Sequence, residues 1–164
     1  MLRIAGAIKE SIVDGPGMRF TLFTQGCCHG CKGCHNPQTH DVNGGYEIEA
    51  ERIIESFKKN PILAGITFSG GEPIMQAGKL IPIAEEIVKM GKNCWIYSGY
   101  TYEELIKMDE DVLKLLSLCD VLVDGPFILE QKDLTLLFRG SKNQRLIDLK
   151  KSMEENKVVL WQNN

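Results

Sequence analysis

Four of the chain's six cysteines fall within eight consecutive positions, in Gln25-Gly26-Cys27-Cys28-His29-Gly30-Cys31-Lys32-Gly33-Cys34-His35-Asn36. Whatever architecture forms must present this loop around a small inorganic centre. Cys27, Cys31 and Cys34 stand in C-x3-C-x2-C spacing, with Cys28 supernumerary. Thiolates are the usual ligands of iron–sulfur clusters, and three that converge from one loop read as three ligands of a 4Fe-4S cluster. The fourth iron then carries no protein ligand and is a Lewis-acid position open to a chelating substrate.

Plainer readings compete. A structural zinc of the Cys3His type would draw on His29, His35 or His40, because Zn²⁺ takes four N or S ligands in a closed tetrahedron. A disulfide framework is disfavoured: such frameworks belong to small secreted chains, and Met1-Leu2-Arg3-Ile4-Ala5 lacks the charged-then-apolar shape of a leader. Cys31 and Cys34 have the C-x-x-C spacing of redox-active thiols, a reading that leaves Cys27 idle. Cys28 reads as a bystander, with a fourth cluster ligand as the alternative.

Composition narrows the classes. The 164 residues, 43% hydrophobic and 25% charged, are ordinary globular composition and predict one domain over residues 1–164. No apolar run reaches the roughly 18 residues of a membrane span. A net charge of −3, with no basic run longer than two or three residues, provides no basic face for nucleic acid. Reduced thiols and no export signal predict a cytoplasmic protein.

Along the chain, residues 2–9 read as a first strand or an ordered arm, and Asp14-Gly15-Pro16-Gly17 as a turn. Arg19–Thr24 reads as a strand running straight into the cysteines. The spacing of Ile48, Ala50, Ile53, Ile54 and Phe57 predicts a helix over 48–59. Strands are predicted at Gly65–Ser69, Cys94–Ser98, Asp120–Asp124 and Val158–Trp161. Helices are predicted at Leu80–Met90, with Pro82 in its first turn, at a capping box opening on Thr101, and at Asp109–Leu118. Strands alternating with helices argue for an α/β fold with a parallel sheet and right-handed crossovers. A full eight-unit barrel takes about 250 residues, so this chain is expected to build an incomplete, TIM-type barrel of five or six units. Its open side suits a partner that is itself a protein.

In such folds chemistry gathers at the carboxyl ends of the strands. Gly70-Gly71-Glu72-Pro73 falls at one of these ends, where glycines let backbone approach a ligand and a carboxylate can accept from an ammonium group. Ser98 and Gly99 end the next strand and Asp124 the one after; each is a candidate contact, with a plain turn or capping role as the alternative. Cys94 and Cys119, in apolar surroundings, read as small buried hydrophobes. The histidines read as supporting or surface residues rather than ligands.

Taken with C-x3-C-x2-C, Gly70-Gly71-Glu72 resembles the GGE motif of the radical S-adenosylmethionine enzymes. Val13-Asp14-Gly15-Pro16-Gly17-Met18-Arg19 resembles the glycyl-radical-enzyme activases among them. Gln25-Gly26-Cys27, Gly33-Cys34-His35-Asn36, Trp95–Tyr100, Val123–Phe127 and Arg139–Arg145 are similar to the branch that activates the anaerobic ribonucleoside-triphosphate reductase. The resemblance runs from about residue 4 to Trp161. It implies the radical S-adenosylmethionine fold, a 4Fe-4S cluster on Cys27, Cys31 and Cys34, and reductive cleavage of S-adenosyl-L-methionine. The amino group of that cofactor would be anchored by Gly70, Gly71 and Glu72, with Gly33, Cys34, His35, Ser98 and Asp124 as further contacts. The implied product is a glycyl radical on the reductase, with flavodoxin or ferredoxin as electron donor, and either a homodimer or a complex with the reductase fits such a chain. Gly33 departs from the wider superfamily, where an aromatic residue is common; the adenine contact would then fall to His35 or Tyr97. Arg139–Arg145 is read as a solvated loop, with reductase docking or a hold on the cofactor's carboxylate as alternatives. An activase for another glycyl-radical enzyme is the nearest rival reading.

Overall fold

The computed structural model describes residues 1–163. Its strands are β1 (Leu2–Ser11), β2 (Arg19–Thr24), β3 (Tyr46–Ile48), β4 (Gly65–Gly70), β5 (Asn93–Tyr97), β6 (Val121–Asp124) and β7 (Arg145–Asp148). Its helices are α1 (Ala50–Lys58), α2 (Ala77–Lys89), α3 (Tyr102–Leu105), α4 (Glu110–Leu118) and α5 (Leu149–Glu155). All seven strands form one mixed sheet in the order β3-β1-β2-β4-β5-β6-β7. None of the helices described is long and apolar enough to cross a membrane.

The expected parallel pairing holds for the four central strands, β2-β4-β5-β6. The flanks correct it: β1 runs antiparallel to β2 and to β3, and β7 antiparallel to β6. Connection length explains the first reversal. Only residues 12–18 join β1 to β2, too few for the crossover of a dozen or more residues that parallel neighbours need. The strand expected at Val158–Trp161 reduces to one bridge, Leu160 to Ile147, beside β7. α2 starts at Ala77, because a 3₁₀ turn over Pro73–Gln76 runs into it, so Pro82 lies inside the helix rather than in its first turn. β3, β7 and α5 were not foreseen.

Side-chain alternation sorts the sheet into two faces. Leu22, Phe68, Ile96, Leu122 and Ile147 lie in one cross-strand row and share a buried core with α1, α2 and α4. α1 has nine residues, fewer than the roughly 12–15 at which an isolated helix becomes even marginal. Burial of Ile53 and Phe57, about 1.5–3 kcal/mol each, holds it in place. Cys94 and Cys119 are fully buried in this core, and burial pushes the Cys94 thiol up to about 12.

The opposite face carries Arg19, Thr21, Thr67 and Trp95. Arg19 is fully buried and donates to Thr67 Oγ1 (2.8 Å), the Ile66 carbonyl (2.8 Å) and the Pro16 carbonyl (3.3 Å). Its guanidinium stacks 5.6 Å from the Trp95 ring centre, and burial lowers its pKa to about 10. Asp14 Oδ2 accepts from Ser11 (2.7 Å) and Thr21 (3.0 Å), while Thr67 donates to the Asp14 carbonyl (2.8 Å). This network fixes the β1–β2 turn across the polar face.

Candidate functional site

The cysteine loop leaves the carboxyl end of β2 and is pinned at both feet. Gly26 N donates to the Thr39 carbonyl (2.7 Å) and Cys27 N to the His40 carbonyl (3.2 Å). Gln25 Nε2 donates to the carbonyls of Gln38 (3.0 Å) and Asp41 (2.8 Å). Gly26 takes φ +105°, a region favouring glycine, and turns the chain out of the strand. Within the loop Cys34 N donates to the Cys31 carbonyl (3.2 Å) and Asn36 N to Cys34 Sγ (3.4 Å). The loop is thus a lasso closed by its own backbone.

Cys27, Cys31 and Cys34 are free, half-buried thiols, and all three line one cavity of about 350 Å³ with His29, His35, Ser69, Gly70, Gly71 and Ser98. Burial raises the Cys27 thiol above its ordinary value; coordination to a metal would reverse this, since a ligating thiol is deprotonated. Cys28 is exposed, outside the lining, with Sγ 3.2 Å from the Tyr100 hydroxyl. Among the described residues no three His, Cys, Asp or Glu side chains converge as ligands of a single ion.

The strand-end glycines serve the backbone first. A Cβ on Gly70 (φ +105°) would lie 2.3 Å from Thr24 N, and one on Gly71 would lie 2.3 Å from the Gly26 carbonyl oxygen. Gly71 N donates to the Thr24 carbonyl (3.0 Å) and Glu72 N to the Gly26 carbonyl (2.8 Å). The end of β4 is therefore laced to the start of the cysteine loop, a packing only glycine permits. Both glycines also face the cavity.

Glu72 is fully buried and absent from the lining. Its Oε2 accepts from Ile74 N (3.0 Å) and so caps the 3₁₀ turn. Its Oε1 accepts from Ser98 Oγ (2.8 Å), Gly99 N (2.8 Å) and His29 Nε2 (2.6 Å). A carboxylate accepts and does not donate, so Nε2 carries the proton. That bond raises the pKa of His29.

Two further expected contacts also lie outside the lining. Asp124 is 1% exposed and accepts from Tyr102 N (2.8 Å), Arg145 Nε (3.1 Å) and an Arg145 terminal nitrogen (2.6 Å). Arg145 also meets Glu103 at 2.7 Å and sits with its pKa raised by the two carboxylates. Gly33 takes φ +77°, and a Cβ there would lie 2.9 Å from Leu129, which accounts for glycine where an aromatic residue was the comparison. Cys34, His35 and Ser98 do face the cavity.

The sequence reading passed over His29 and Gly99 as a pair. A Cβ on Gly99 would lie 2.5 Å from the His29 ring, and Tyr100 meets that ring edge-on at 4.6 Å. The segment 125–144, of which the sequence reading singled out Val123–Phe127 and Arg139–Arg145 but not the stretch between, brings Phe127, Leu136, Phe138 and Arg139 to the cavity. Phe127 meets His35 edge-on at 5.0 Å, and Tyr97 donates from its hydroxyl to the Phe138 carbonyl (2.5 Å). Leu and Phe in this stretch were the available signal.

A loop of free thiols on a strand-end platform defines an iron–sulfur protein, and residues 13–147 match the family model described as a 4Fe-4S single cluster domain. The particular family follows from closer relatives. The chain is 40% identical over 142 residues to the anaerobic ribonucleoside-triphosphate reductase-activating protein of Vibrio cholerae, covering 81% of this chain and 89% of that one. It is 36% identical over 141 residues to that of Haemophilus influenzae (81% and 89%) and 38% identical over 141 residues to that of Escherichia coli K12 (81% and 90%). The chain belongs to the family of anaerobic ribonucleoside-triphosphate reductase-activating proteins. Among solved structures, QueE from Escherichia coli aligns with TM-score 0.47 at 19% identity, over 61% of this chain and 53% of that one, a likeness too partial to extend the description of the fold.

Proposed function

We propose that this chain is a radical S-adenosylmethionine activase that places a glycyl radical on the anaerobic ribonucleoside-triphosphate reductase. The observation that carries the reading is the ring of Cys27, Cys31 and Cys34 around one cavity with the strand-end glycines Gly70 and Gly71, in a chain of this family. Cys27, Cys31 and Cys34 would hold the 4Fe-4S cluster, which would supply the one-electron reduction, fed by a flavodoxin or ferredoxin, that cleaves S-adenosylmethionine. Cleavage yields methionine and a 5′-deoxyadenosyl radical, which takes a hydrogen atom from a glycine Cα of the reductase and leaves as 5′-deoxyadenosine. The protein's part is to bind, orient and exclude water.

In this reading Gly70, Gly71, Ser98, Cys34 and His35, which line the cavity, would contact the methionine half and ribose, and Tyr97 or His35 would meet adenine. Glu72 and Asp124 support the wall from behind. One domain over residues 1–164, working as a homodimer or in complex with the reductase, is part of the same reading. The parallel β2-β4-β5-β6 core with α1, α2 and α4 packed on one face of the sheet supports treating the fold as an incomplete TIM-type barrel. The relatives' names favour the reductase over another glycyl-radical enzyme as the target.

The test is Cys31→Ala in anaerobically reconstituted protein. Loss of the reduced-cluster electron paramagnetic resonance signal and of 5′-deoxyadenosine formation is expected; retained cleavage of S-adenosylmethionine overturns the assignment.

A further inference from the structure

We infer that His29 is a positioning residue: it latches the cysteine loop to the strand-end wall through Glu72, holding the thiols at the distance from Gly70, Gly71 and Ser98 that the bound cluster requires. The inference rests on the proposed cluster site and assigns work inside it. Among the described residues, the loop between its pinned feet at Cys27 and Thr39 makes one side-chain bond to the sheet wall that reaches a fully buried group: His29 Nε2 to Glu72 Oε1, at 2.6 Å. The same oxygen receives Ser98 Oγ and Gly99 N at 2.8 Å each, and the other oxygen receives Ile74 N at 3.0 Å. One carboxylate thus joins the end of β4, the end of β5 and the cysteine loop.

The imidazole is confined as well as bonded. Gly99 leaves room for it where a Cβ would stand 2.5 Å from the ring, and Tyr100 packs its edge at 4.6 Å. Four donors occupy Glu72, which directs the carboxylate away from ligand recognition and toward holding the frame. Groups hydrogen-bonded directly to metal ligands commonly change metal affinity about 10–100-fold when removed; His29 acts one step further out, on the loop that carries the ligands, so the lower end of that range is the expectation.

The experiment compares wild type, His29→Ala, His29→Gln and Gly99→Ala after anaerobic reconstitution. It reads bound iron and sulfide, the rate at which the iron(II) chelator bathophenanthroline disulfonate strips iron, and the spectrum of the reduced cluster with and without S-adenosylmethionine. His29→Ala is expected to release iron about tenfold faster and to alter the spectrum. His29→Gln, whose amide N–H can reach the same oxygen, is expected to restore most of the wild-type rate. Gly99→Ala keeps every hydrogen-bonding side chain and displaces the ring, so it should behave like His29→Ala even if that variant folds poorly. Wild-type release from both His29→Ala and Gly99→Ala overturns the inference, as does His29→Gln behaving no better than alanine. A wild-type chain that takes up no four-iron cluster overturns the proposed function itself, and is recognised before any variant is compared.

Discussion

On one face of the sheet Leu22, Phe68, Ile96 and Leu122 stand in register and meet helices α1, α2 and α4. One residue along each strand, Thr21, Thr67 and Trp95 stand in register on the other face, with Arg19 folded across them. Both faces are buried, yet they are held by different physics. The first is apolar and non-directional, so its strength scales with area and tolerates swaps of similar volume. The second is apolar only over β5 and β6, where Trp95, Val121 and Val123 pack with Phe138 and Trp161; over β2 and β4 it depends on each donor meeting its acceptor, because a buried group left unpaired carries the full desolvation penalty. The polar face adjoins the cavity: Asp14, bonded to Thr21, is also a cavity residue. The cavity edge therefore meets both kinds of contact, the Asp14–Thr21–Thr67 bonds at the β2–β4 end and the aromatic cluster of Tyr97 and Phe138 at the β5–β6 end.

This contrast can be broken in a graded way. Phe68→Ala removes a fully buried ring and is expected to lower stability by about 3–5 kcal/mol, seen as a lower urea midpoint, while iron content at low temperature stays that of the wild type. Thr67→Val keeps shape but strands Arg19 Nε and the Asp14 carbonyl, so a loss of about 1–3 kcal/mol is expected. Isosteric Val-for-Thr exchange giving no loss would place the polar face on the same footing as the apolar one. The smallest effect is at the rim. Glu103 is held below its ordinary pKa by the hydrogen bond from Arg145, and its side chain is 55% exposed. A depressed carboxylate stabilises above its unfolded pKa of about 4.3 and loses that contribution as pH falls through the folded value. Solvent screening keeps it under about 1 kcal/mol; the urea midpoints of wild type and Glu103→Gln should converge as the solution is acidified below that range.

Much of the central architecture was legible locally. β2 spans the residues its β-branched and aromatic run predicts, and the Thr101–Glu104 capping box closes with both reciprocal bonds. Both succeed because a few neighbouring residues suffice to satisfy them. β7 and β3 were missed because neither carries an apolar run: Arg145-Leu146-Ile147-Asp148 and Tyr46-Glu47-Ile48 are short and flanked by charge, whereas β6, equally four residues long, shows as Val121-Leu122-Val123. Their pairing comes from β6 and β1, not from themselves. Pro82 misled for a related reason: a proline suggests a helix start, but tertiary burial of Ala77 and Leu80 extends α2 ahead of it.

The candidate site divides along the same line. The thiol spacing and the two glycines stand out in the sequence because ligand sets and close backbone approach demand particular residues at fixed intervals. Glu72 reads in sequence as a ligand-facing carboxylate; only the fold shows that His29, Ser98, Gly99 and Ile74 occupy it. These partners are 43, 26, 27 and two residues away, and no local rule joins the distant three. The sequence by itself determined which atoms can hold a cluster, since that is a property of residue type and spacing. The tertiary structure decided what each carboxylate and histidine faces, since a buried hydrogen bond is set by which strand ends meet, and that is a property of the whole sheet.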